Sequence, residues 1–149
     1  MKLQIESIPE FSWGHNLAHL LPAPVWDKLR KETYRKAGFK CQVCGTNGKL
    51  NCHEVWKYND IKRIQFLEKV ESRCDLCHNI NHWGRTVLMV HKGEYPRDYL
   101  ETLTDHFCKV NKCKPEDFLE EKLRAGELQQ YRSYHRYTIK FGSYSKLVN

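Results

Sequence analysis

Two cysteine pairs of one form, Cys41-Gln42-Val43-Cys44 and Cys74-Asp75-Leu76-Cys77, constrain this chain more than any other feature. Two residues between cysteines let both sulfurs of a pair reach one ion around a tight turn. Zinc takes a tetrahedral shell of thiolates. Gly45, directly after Cys44, suits that turn. Cys41, Cys44, Cys74 and Cys77 are therefore expected to hold one structural zinc. Residues 45–73 then become an insertion between knuckles, longer than the usual zinc-ribbon gap. The chain has seven cysteines. The odd count and the polar start, Met1 to Glu6, speak against a secreted disulfide scaffold. Cys52, Cys108 and Cys113 read as small buried thiols. No apolar run approaches the roughly 20 residues that span a bilayer. The expected setting is the cytoplasm, with no membrane partner.

Three histidines lie around the second knuckle. His78 and His82 stand four apart, so a helix would put both imidazoles on one face. His53 precedes them on a segment, Leu50 to Trp56, that reads as a strand. Three imidazoles leave open positions on an ion, as a catalytic site requires. His15 and His19 share the spacing, but nothing anchors them to a third ligand, and they read as structural.

The rest of the chain reads as a single domain, 1–149, in three parts. Residues 1–38 form an arm and a helix: Pro22 and Pro24 stop any earlier helix, and Val25 to Ala37 recur at helical spacing. Residues 39–86 hold the knuckles, a hairpin and a helix from Cys77 to Arg85. Within that part, 61–73 suggest a short strand followed by a loop. Residues 87–149 are mostly helical, with 86–96 as a connection, helices near 97–110 and 115–130, and a strand signal from Arg136 to Phe141. The fold class is α+β.

The formal net charge is +7. This suits a polyanionic partner without fixing a function. Lys28, Arg30, Lys31, Arg35, Lys36 and Lys40 crowd the first long helix, as a solvated face or a phosphate-facing one. Tyr131, Tyr134, Tyr137 and Tyr144 interleave with cations near the C-terminus, a pattern that suits stacking on single strands or one face of a strand.

Leu50-Asn51-Cys52-His53-Glu54-Val55-Trp56, with Cys74-x-x-Cys77-His78-x-x-x-His82-x-Gly84-Arg85, resembles the HNH, or ββα-metal, endonuclease superfamily. The likeness runs from about Cys41 to Arg85 and is strongest to small bacterial and phage HNH-like proteins. It implies a zinc-knuckled ββα-metal core, with an N-terminal arm and helix and a helical C-terminal extension. It also implies a second divalent ion (Mg2+, Mn2+, Ni2+ or Zn2+) on His53, His78 and His82, and hydrolysis of phosphodiester bonds in nucleic acid, DNA by preference.

The family's hairpin carries adjacent ligand and base residues. Here the pair is either Cys52-His53, with His53 as base, or His53-Glu54, with His53 as ligand and Glu54 as base. The second is preferred, since three imidazoles form a sensible shell. The asparagine that orients the family's hairpin histidine has no counterpart in Glu68 to Arg73; Asn59 is available but sits early. Arg85, Lys92, Arg132 and Arg136, with Lys140, are candidate phosphate contacts. The altered pair and missing asparagine also fit a second reading, a catalytically degenerate zinc module. It would bind DNA or a protein partner, as a phage-encoded inhibitor does. A third reading is RNA binding through the basic C-terminal segment.

Overall fold

The computed structural model describes residues 1–148. An extended arm leads into α1 (Leu17–Leu20) and α2 (Ala23–Lys36), with Pro22 and Pro24 at the start of α2 as their fixed φ favours. A hairpin follows: β1 (Leu50–Asn59) and β2 (Ile64–Cys74) pair antiparallel from Leu50↔Cys74 to Asn59↔Ile64, with a register shift between Val55 and Trp56. Next come α3 (Asp75–Asn81), α4 (Trp83–His91), α5 (Tyr99–Asn111) and α6 (Pro115–Ser133). The short strand β3 (Thr138–Lys140) lies parallel to Ile64–Phe66 and completes a three-stranded sheet in the order β1-β2-β3; α7 (Ser145–Val148) follows. The fold is α+β. No described helix is long and apolar enough to cross a membrane.

Three sequence expectations change. The 61–73 stretch is nearly all one strand, because its apolar residues meet core on both faces of the hairpin: Leu67 is buried against Leu17 and Leu21. The helix expected over Cys77–Arg85 is two helices. His82 adopts φ −101° and ψ 46° between them, and Thr86 Oγ1 donates to the Asn79 carbonyl at 2.8 Å across the break. The connection expected over 86–96 is helical as far as His91.

The hairpin separates two cores. On one side α1 and α2 pack Leu17, Leu21, Val25, Trp26 and Leu29 against Trp56, Leu67 and Val70. On the other, the arm, α3, α5 and α6 gather Leu3, Ile5, Ile80, Leu103, Phe107 and Phe118 around the buried knuckle cysteines. The arm follows strand periodicity without joining the sheet. Leu3, Ile5 and Ser7 point inward, and Gln4 and Glu6 the other way. Its backbone is held by side chains far along the chain. Leu3 exchanges two bonds with Asn111, both 2.9 Å, and the Ile5 N–H donates to Glu121 at 3.0 Å.

Candidate metal centres

The two knuckles meet as their spacing requires. One sulfur from each of Cys41, Cys44, Cys74 and Cys77 lies within 4.8 Å of the others, three of the four residues being buried. These four are positioned to hold a metal ion, compatible with a structural zinc. Backbone N–H groups of Cys44 and Cys77 donate to the sulfurs of Cys41 and Cys74, each at 3.5 Å. Gly45 takes φ +79° in the turn after the first pair, where a side chain would be strained. Hydrogen bonds from Cys74 and Cys77 hold the Cys41 thiol far below its ordinary range, and those with Cys41 and Cys74 push Cys77 up. A cluster that already favours a thiolate suits a cation. His106 of α5 adds a contact that the spacing does not announce: its Nε2 lies 3.2 Å from the Cys77 sulfur.

His53, His78 and His82 come together as the second group, with one ring nitrogen from each within 4.8 Å. β1 presents His53, α3 presents His78, and the α3–α4 junction presents His82. Their ring centroids are 4.7–5.4 Å apart. Burial pushes all three imidazoles down to about 3, so each is neutral, with a lone pair to offer, at physiological pH. Nδ1 of His53 is buried and has no hydrogen-bond partner. Arg85 is exposed, and its charge helps lower each of the three imidazoles, so it belongs to this neighbourhood.

Glu54 does not face this group. Strand alternation sends it to the opposite side of β1, where its carboxylate accepts the Leu17 N–H at 3.1 Å. Cys52 points the same way, its sulfur 3.7 Å from Thr33 Oγ1. In neither alignment of the hairpin pair, therefore, does the neighbour of His53 reach the imidazoles. The carboxylate that does reach them is Glu6, from the arm. Its Oε1 lies 2.5 Å from His53 Nε2, and burial raises its carboxyl to about 7. The sequence gives Glu6 no prominence, because a plain acid in a lead-in carries no motif. The alternation of Leu3 and Ile5 is the one signal there that the arm is fixed.

The missing asparagine is not replaced by Asn59, which accepts the Lys62 N–H at 2.9 Å and shapes the hairpin turn. Asn81, 2% exposed, acts elsewhere. Its Nδ2 donates to the Gln4 carbonyl at 2.7 Å and its Oδ1 accepts from Arg73 at 2.6 Å. Beside this clamp, a cavity of about 360 Å³ runs between the arm and β1. Glu6 Oε2, Tyr58 Oη and Arg73 Nε belong to residues that line it, and all three atoms are buried without a partner, so its wall is polar.

Of the candidate phosphate contacts, Arg132 is corrected. It donates to both oxygens of Asp60 at 2.9 and 3.1 Å and to the Ser7 carbonyl at 2.9 Å, and it stacks 3.7 Å from the Tyr58 ring centroid. It fastens the hairpin tip to α6. Lys92, Arg136 and Lys140 are exposed and make no ion pair among the described residues. The C-terminal tyrosines divide: Tyr137 is buried and donates to Asp60 at 2.7 Å, Tyr144 accepts the Val70 N–H at 3.2 Å, and only Tyr131 and Tyr134 are exposed. No known protein family, characterised protein or solved structure matches this chain.

Proposed function

We propose that this chain is a metal-dependent endonuclease of the HNH type, hydrolysing phosphodiester bonds in nucleic acid, DNA by preference. The observation that carries the proposal is the convergence of His53, His78 and His82 from a hairpin and the helix after it, beside an exposed arginine. The order strand, strand, helix, with thiolate knuckles at the base of the hairpin, is what a ββα-metal core needs. A divalent ion bound there supplies Lewis acidity at a phosphate and lowers the pKa of water.

His53, His78 and His82 provide three neutral nitrogen donors, and burial keeps protons from competing for them. Arg85 provides the cation for a phosphodiester oxygen at the open side. Lys92 and Arg136 are exposed cations elsewhere on the surface, open to further phosphates. Glu54 has no role in this proposal, because it faces α1. Cys52 and Glu54 both turn away from the imidazoles, and Asn59 only shapes the hairpin turn; these observations favour the second reading, a zinc module that binds DNA or a protein without cutting.

The test is cleavage of supercoiled plasmid by the purified protein with Mg2+, Mn2+, Ni2+ or Zn2+, beside His53→Ala. Cutting that the substitution abolishes supports the nuclease. A folded protein that retains its thiolate-bound zinc and fails to cut with any of the ions overturns it. Salt-dependent DNA binding without cleavage then favours the binding module.

A further inference from the structure

We infer that the N-terminal arm is a working part of the imidazole centre, with Glu6 as the positioning residue that fixes how His53 binds metal. The inference rests on the reading of the three imidazoles as a metal centre.

A neutral imidazole has one N–H and one lone pair, and the hydrogen bond at one nitrogen decides which nitrogen remains a donor to metal. Glu6 Oε1 stands 2.5 Å from Nε2 of His53. When ionised, Glu6 can only accept, and Nε2 then carries the proton. That leaves the lone pair on Nδ1, the buried nitrogen with no partner in the protein. With an ion on Nδ1, Glu6 and His53 would provide the carboxylate–histidine part of a series that orients a ligand and raises its basicity. No other protein group hydrogen-bonds to either nitrogen of His53 among the described residues.

Glu6 is not there by accident of a loose end. Its N–H donates to the Asn81 carbonyl at 3.0 Å, and Asn81 Nδ2 donates to the Gln4 carbonyl at 2.7 Å. The arm is thus gripped at Glu6 and at Gln4 by the residue immediately before His82. Ile5 and Ser7, on either side, are tied to α6 through Glu121 and the Ala125 carbonyl. The carboxylate is held at the His53 ring by α3 and α6 together, so metal binding and docking of the arm are coupled equilibria.

Two measurements on the zinc-knuckled protein test this. Long-range 1H–15N correlation spectra, taken before any second metal is added, report which nitrogen of His53 carries the proton. The expected result is Nε2–H; a proton on Nδ1 overturns the inference. Titration with Co2+, read by its visible d–d bands, then compares the natural chain with Glu6→Ala and Glu6→Gln. Glu6→Ala is expected to weaken the imidazole centre about 10–100-fold, as loss of an outer-shell partner does, and Glu6→Gln by less, because the amide oxygen still accepts. Unchanged affinity in a folded Glu6→Ala protein overturns it. Should the natural chain take up no second metal, the proposed function fails, while the tautomer spectrum still reports on the Glu6–His53 contact.

Discussion

His53 and Glu54 are neighbours in sequence and occupy opposite faces of β1: one meets two imidazoles, the other the backbone of α1. Substitutions at the two positions are therefore expected to have unlike consequences, although both side chains are largely buried. His53→Ala removes a metal donor, and Glu54→Gln leaves Co2+ affinity at the imidazole centre unchanged.

Glu54 has a separate signature in stability. Burial raises its carboxyl from 4.5 to about 7. A folded-state pKa above the unfolded value favours folding fully below 4.5, and that contribution is lost as pH rises through about 7. The loss amounts to roughly 3 kcal/mol by pH 8. Glu54→Gln does not titrate, so its stability relative to the natural chain should improve from pH 5 to pH 8. Urea denaturation at the two pH values measures the difference.

Removal of a knuckle thiolate is expected to be far more damaging. Cys41 and Cys77 sit inside the core formed by the arm, α3, α5 and α6, and the ion's binding energy is folding energy there. Cys41→Ser, or chelation of the natural chain, should abolish the cooperative unfolding transition and lower near-ultraviolet circular dichroism. Helical signal from α2, which packs in the other core, should outlast it.

His106 tunes that site without belonging to it. Its Nε2 lies 3.2 Å from the Cys77 sulfur, where it would donate to a metal-bound thiolate. His106→Ala should release zinc to a colorimetric chelator about ten times faster, with the stoichiometry unchanged.

Arg85 and Arg132 separate binding from stability. Arg132 is bound to Asp60 and Ser7, and its loss leaves the Asp60 carboxylate with Tyr137 alone and the Ser7 carbonyl without its donor. Arg132→Ala should cost about 2–4 kcal/mol in urea denaturation. It should not alter the salt dependence of DNA binding. Arg85→Ala should do the reverse: little change in stability, and a salt slope smaller by about 1.

The sites legible in the sequence are those in which short spacing meets rigid chemistry. Tetrahedral sulfur and the two-residue gap suffice to bring Cys41, Cys44, Cys74 and Cys77 together. His78 joins its partners because it follows the second knuckle directly. His82 joins it one turn on, as the four-residue spacing requires: its N–H still donates to the His78 carbonyl at 3.1 Å, although the helix breaks at that residue. Glu54 is misplaced by its motif because adjacency in sequence means opposition in a strand. Glu6 and Arg132 are not legible because their partners are remote. Arg132 and Asp60 lie 72 positions apart, Glu6 and His53 47 apart, and neither pair carries a local motif. The full length of β2 is hidden because its polar residues interrupt the apolar ones, while the hairpin register and two flanking cores decide the outcome.

The grip on the arm has a consequence for how the chain is made. Leu3 waits for Asn111, Ile5 for Glu121 and Ser7 for Ala125. Synthesis runs from the N-terminus, so the knuckle cysteines and all three imidazoles leave the ribosome before α6 exists. The arm, made before either helix that holds it, is thus among the last parts to settle. Until α6 is made, the arm that carries Glu6 lacks the contacts of Ile5 and Ser7, and the His53 ring is open to solvent whenever the arm is undocked.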